Sequence, residues 1–125
     1  MIGGRVLDAS AVIAFASRTS IYAQALVWTA VEEGIVLVVP STALGKAWAT
    51  LAEEKDHDVL EVLLRLPVTL VDDLTGARAR AIGELGGDQL DAHALLCARD
   101  RGWAVVTGDA ARYSVVDGVE IEPLP

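Results

Sequence analysis

At 125 residues and 53% apolar content the chain suits one domain, residues 1–125, with a real core, and no run approaches the ~18 consecutive apolar residues of a membrane span. A formal net charge of -8 excludes a surface that binds nucleic acid all over; contact with RNA would need a local basic patch or metal bridging to phosphate. The one cysteine, Cys97, excludes an internal disulfide, and the absence of a signal-type apolar region after Met1 makes the cytoplasm the expected location.

In chain order, Val6-Leu7, with Arg5 as its earliest start, predicts a short buried strand. Ser10 is an N-cap candidate for a helix over residues 11–17. Ile21–Glu33 repeats apolar residues at helical spacing, and Gly34 ends the repeat as glycines do beyond a helix C-terminus. Residues 35–39 form a continuous β-branched run, the pattern of a strand covered on both faces in a parallel sheet. Pro40 closes it, and Ser41 or Thr42 can cap the next helix, which runs through Leu51 to Glu54. A second helical pattern spans residues 56–65, and a strand follows at 68–71.

Residues 74–85 read as helix, ended by Gly86-Gly87, and residues 88–101 as the next, ended by Gly102. Ala104–Thr107 is a strand, and residues 119–121 are an edge-strand candidate. Strands alternating with helices imply an α/β fold with a mainly parallel sheet. Cys97 sits in an apolar helical pattern and reads as a buried structural thiol. Trp28, Trp48 and Trp103 fall in apolar patterns suited to packing, His93 reads as a packed or surface residue, and His57 as a solvated residue at a helix start.

Four aspartates stand at junctions between these elements: Asp8, Asp88, Asp91 and Asp109. Each has a local explanation. Asp88 suits an N-cap, Asp91 the positive end of its helix, and Asp109 a turn. Asp8 is the hardest to explain locally, because it interrupts an apolar run without forming an obvious turn. Sites in open parallel sheets gather beyond the carboxyl ends of strands, so acids distant in sequence can converge there. Converging carboxylates repel one another, and a hard cation such as Mg²⁺ or Mn²⁺ relieves that repulsion. Such a site supports phosphodiester hydrolysis, with Ser10 and Thr107 near enough in sequence to orient a water or a phosphate.

The stretches Val6-Leu7-Asp8-Ala9-Ser10-Ala11-Val12-Ile13, Asp88-Gln89-Leu90-Asp91-Ala92-His93 and Gly102-Trp103-Ala104-Val105-Val106-Thr107-Gly108-Asp109 together resemble the PIN domain. Within it they are most similar to the VapC-like toxin ribonucleases of type II toxin–antitoxin pairs. The resemblance spans the whole chain. It implies a parallel sheet flanked by helices and an acidic pocket holding Mg²⁺ or Mn²⁺. It implies endonucleolytic cleavage of RNA, a homodimer, and an antitoxin whose C-terminal segment blocks the pocket. By position Asp8 matches the first acid of that pocket, Asp91 the third and Asp109 the fourth, with Asp88 an additional acid. The second acid, a glutamate, falls on Lys46 when Pro40 and Ala47-Trp48 are aligned. That departure exchanges a negative for a positive charge beside the expected metal, and Lys46 could pair with Asp8 or Asp91 in its place. Glu53 and Glu54 lie about two helical turns further on and are poor substitutes.

Two functions fit these residues. One is a Mg²⁺- or Mn²⁺-dependent endoribonuclease weakened by Lys46, with Asp8, Asp91 and Asp109 catalytic and Asp88 also on the metal. The other is a non-catalytic PIN-fold protein acting as a binding module or antitoxin partner. A receiver-like phosphoacceptor domain fits poorly, because Asp8 stands without a neighbouring acid and the central strand runs into Pro40-Ser41. Seven arginines, among them Arg78, Arg101 and Arg112, are available for phosphate contacts if the fold clusters them.

Overall fold

The computed structural model describes residues 3–113 and 118–125; Met1 and Ile2, where the N-terminal run begins, lie outside them. The strands are β1 Gly4–Leu7, β2 Val36–Pro40, β3 Thr69–Asp72, β4 Ala104–Thr107 and β5 Ile121–Pro123. They form one sheet in the order β3-β2-β1-β4-β5, with every pairing parallel and Val6 opposite both Val38 and Val105. The helices are α1 Ala9–Ala16, α2 Ile21–Glu33, α3 Ser41–Thr50, α4 Glu54–Arg65, α5 Gly76–Leu85 and α6 Gln89–Arg101, and a 3-10 turn spans Ala110–Arg112.

The continuous apolar runs have a simple cause. Successive side chains of a strand point to opposite faces, and here both faces are covered. Leu7, Leu37, Val39 and Val106 enter one core with Phe15 of α1, Val27 of α2, Ala47 of α3, and Leu60 and Leu63 of α4. Val6, Val38 and Val105 enter the other, against Ala94, Cys97 and Ala98 of α6. Cys97 is buried as expected, and that burial pushes its thiol up to about 11. No helix among the described residues is long and apolar enough to cross a membrane.

The strand order places the site. The chain lays β2 and then β3 to one side of β1, then returns to lay β4 and β5 on the other. The reversal opens a crevice beyond the carboxyl ends of β1 and β4, where ligands bind in sheets of this kind. Asp8 follows β1 directly, and Gly108-Asp109 follows β4.

Several element ends differ from the sequence expectation. Asp8, not Ser10, caps α1, accepting a hydrogen bond from Ala11 N at 3.0 Å, so the helix starts two residues early. Neither Ser41 nor Thr42 caps α3, which starts directly after Pro40. Ser41 instead accepts from Leu74 N, and Thr42 turns toward His93. That helix stops at Thr50, because Leu51 adopts an extended backbone and is buried. Thr75 caps α5, which therefore begins at Gly76. The last strand lies two residues beyond its expected place. Gly34 and Gly102 close α2 and α6 with φ of 70° and 69°, the left-handed region that glycine enters without a steric penalty.

Of the three tryptophans, Trp28 meets Phe15 edge-on at a ring separation of 6.4 Å and stays partly exposed. Trp48, also partly exposed, stacks on His57 at 4.2 Å; His57 is thus a half-buried packing residue, not the solvated one expected. Trp103 lies across Gly4, where a Cβ atom would overlap its ring. Gly4→Ala is expected to destabilise the fold by about 1–3 kcal/mol, the usual cost of overpacking. An unchanged urea midpoint would show that the ring moves aside freely.

Candidate functional site

A cavity of about 300 Å³ opens at the β1/β4 crevice, between α1, α3, α6 and the 3-10 turn. Asp8, Ser10, Lys46, Asp88, Asp91 and Arg112 line it. Three of the four aspartates read from the sequence therefore converge. Asp109 is exposed on the turn after β4 and is not among the lining residues.

Asp8 is only 5% exposed, and hydrogen bonds hold it there. Its Oδ1 accepts from Ser10 Oγ at 2.7 Å and from Ala11 N at 3.0 Å. Its Oδ2 accepts from the Tyr113 hydroxyl at 2.6 Å. Burial, and then the negative charge of Asp8, push the Tyr113 phenol well above its ordinary range, so it remains a donor. Ser10 ties the two strand ends together. Having given its proton to Asp8, it accepts from Gly108 N at 2.8 Å, and the Thr107 hydroxyl, 3.2 Å away, must donate to it. Thr107 also accepts from Asp109 N at 3.0 Å. The Ser10 hydroxyl is thereby saturated, Thr107 keeps one lone pair, and together they lock β1 to β4.

The first turn of α6 supplies the other two acids. Asp88 Oδ1 accepts from Leu90 N at 2.8 Å and Asp91 N at 3.1 Å, the N-cap role expected of it. Asp91 sits one turn in, 18% exposed, and receives Arg112 in a two-point contact, Nε to Oδ1 at 3.1 Å and Nη2 to Oδ2 at 3.4 Å. The same guanidinium lies 3.7 Å from Asp88 Oδ2. Hydrogen bonding to Asp91, and then its charge, raise the Arg112 pKa above its ordinary value. Lys46 lines the cavity and, among the described residues, forms no salt bridge, so Arg112 rather than Lys46 neutralises Asp91. Three carboxylates thus face two cations.

These oxygens suit one hard cation, since carboxylates are the ligands Mg²⁺ and Mn²⁺ prefer. The fit is partial. Asp8 Oδ1 and Asp88 Oδ1 have each accepted two hydrogen bonds, and both Asp91 oxygens and Asp88 Oδ2 face Arg112. Asp8 Oδ2, with one bond from Tyr113, keeps a free lone pair.

A second polar cluster went unread in the sequence. Asp72, buried at the end of β3, accepts from His93 Nε2 at 2.9 Å, Arg78 Nε at 2.6 Å and Arg101 Nη2 at 3.3 Å. Burial opposes its ionisation, but the hydrogen bonds from His93 and Arg78 outweigh it and hold its carboxyl below the usual range. An ionised carboxylate only accepts, so His93 carries its proton on Nε2, leaving Nδ1 to meet Thr42 Oγ1 at 2.7 Å. Ligand atoms of Asp72, His93 and Cys97 lie within 4.8 Å of one another, a spacing a metal could use. Two guanidiniums already neutralise Asp72, and Arg78 Nη2 also reaches Cys97 Sγ at 3.7 Å, so protein groups already satisfy this cluster. The sequence signal was available: Asp72 closes β3 as Asp8 closes β1.

No protein-family model matches this sequence, and no curated protein matches it. Its structure is similar to a chain in the crystal structure of VapBC2 from Rickettsia felis bound to a DNA fragment from their promoter. The likeness covers 98% of this chain and 99% of that one, with a TM-score of 0.74 and 12% sequence identity. At that identity it shows the fold: a five-stranded parallel sheet in the order 3-2-1-4-5 with flanking helices, which is the PIN fold.

Proposed function

From the PIN fold and an acidic crevice at its sheet reversal, we propose that the chain is a VapC-type endoribonuclease with a weakened Mg²⁺ or Mn²⁺ site. The observation that carries this reading is the convergence of Asp8, Asp88 and Asp91 in one cavity. The likeness to VapBC2 supports it. Asp8, Asp91 and Asp88 would hold the ion, and Asp109 would join from the exposed turn beside them. When bound, the ion supplies an activated water and neutralises charge on the phosphate. Ser10 and Thr107 keep Asp8 aimed by joining the two strand ends. Lys46 offers a point charge to a phosphate oxygen of the RNA backbone. The likeness to VapBC2 supports a cognate antitoxin protein as the partner, the sequence resemblance adds a second copy of the chain as an expected one, and the net charge of -8 suits a basic partner segment.

The test is Mn²⁺-dependent cleavage of RNA. Asp8→Asn is expected to reduce it by about 100-fold or more, since even outer-shell changes at metal sites cost about 10–100-fold. Cleavage that survives Asp8→Asn would place the chemistry elsewhere.

One observation favours a second reading. Lys46 and Arg112 bring two cations into the pocket, leaving little charge to attract a metal. On this reading the chain is a non-catalytic PIN-fold module that binds an antitoxin. Absence of RNA cleavage at millimolar Mn²⁺, with antitoxin binding retained, would decide for it.

A further inference from the structure

The lone pairs around the cavity single out Arg112. Of the six carboxylate oxygens of Asp8, Asp88 and Asp91, two are filled by hydrogen bonds from backbone and Ser10 donors and one is shared with Tyr113. The other three, Asp88 Oδ2 and both oxygens of Asp91, face the Arg112 guanidinium. A divalent ion bridging α1 and α6 therefore needs the oxygens that Arg112 holds.

Resting on the proposed metal site, we propose that Arg112 is an internal competitor for that ion: it neutralises Asp91 and Asp88 while the metal is absent, and must leave them for the metal to bind. The geometry suits an exchange. The neighbouring Tyr113 is buried and pins the turn to Asp8, so the backbone can stay in place. Arg112 itself is 42% exposed and can reach solvent by rotating its own long side chain. Its pairing is the exposed kind that contributes little to stability, so it can be broken at small cost. Removing one positive charge within several ångströms of a dication is worth about tenfold in affinity even in water.

The experiment is isothermal titration of Mn²⁺ into the intact wild-type chain and into Arg112→Gln, with near-ultraviolet circular dichroism confirming that both are folded. Arg112→Gln is expected to bind Mn²⁺ about tenfold more tightly. Equal and measurable affinities would overturn the competition while leaving the metal site standing. No binding to either protein at millimolar Mn²⁺ would overturn the metal site and the competition with it.

Discussion

Asp72→Asn is expected to destabilise the protein by about 3 kcal/mol, where the range for a charged hydrogen bond meets that for a broken buried ion pair. The substitution removes the negative charge shared by the guanidiniums of Arg78 and Arg101 and the fully buried His93, and it exchanges one of the two acceptor oxygens for an NH2 donor that faces these donors. The lower end of the buried-pair range applies because both arginine side chains remain about a quarter exposed, at 25% and 26%, and Arg78 keeps Asp100 at 3.0 Å. For a domain of this size the loss corresponds to roughly 10 °C in Tm.

The pH dependence has a definite sign. The folded carboxyl of Asp72 titrates below its ordinary value of 3.8, so its stabilising effect is present above that value and is lost as pH falls through the lower, folded one. The Tm gap between wild type and Asp72→Asn should therefore be full at pH 7 and shrink below about pH 4. A gap that persists at pH 2 would show that the charge on Asp72 does not hold the cluster. Because the network joins β3, α3, α5 and α6, partial loosening should also reach Lys46 and Asp91, which stand on two of those helices.

Lys46→Glu is expected to tighten Mn²⁺ binding by on the order of 100-fold. The change replaces one positive charge by one negative charge beside the dication and adds an oxygen ligand. Lys46 is exposed and forms no salt bridge among the described residues, so the substitution should leave the fold unchanged. Calorimetric titration checks the affinity, and RNA cleavage should rise with it if the site is catalytic. Micromolar binding by the wild type, unchanged in Lys46→Glu, would show that Lys46 does not limit the site and would remove the main argument for the non-catalytic reading.

Much of this architecture was legible in the sequence. Ile21–Glu33 and Ala104–Thr107 were read with their observed bounds, because a helix closed by a glycine and a short β-branched run between breakers leave few alternatives. Asp88 as a cap followed from its place after Gly86-Gly87. The exchange of Ser10 for Asp8 as the cap of α1 shows the limit. Both residue types cap helices, and the choice fell to Asp8 because β1 ends at Leu7 and leaves Asp8 extended, at φ -76° and ψ 178°. The cluster around Asp72 has no local signature, because its partners come from two helices, His93 and Arg101 from α6 and Arg78 from α5. Arg112 stood among the basic residues available for phosphate, but its pairing with Asp91, 21 residues away, has no local signature.

By itself the sequence determined the alternation of strand and helix, the burial of the sheet on both faces, and the standing of acids at strand ends and at a helix start. These follow from periodicity and capping, which depend on near neighbours. Only the tertiary structure decided which charges meet. It brought Asp8, Asp88 and Asp91 into one cavity, left Asp109 on the exposed turn, and set Arg112 against Asp91 with Lys46 at the same cavity. Coulomb interactions depend on distance in space, and here that distance is set by the strand order, which brings β4 back beside β1.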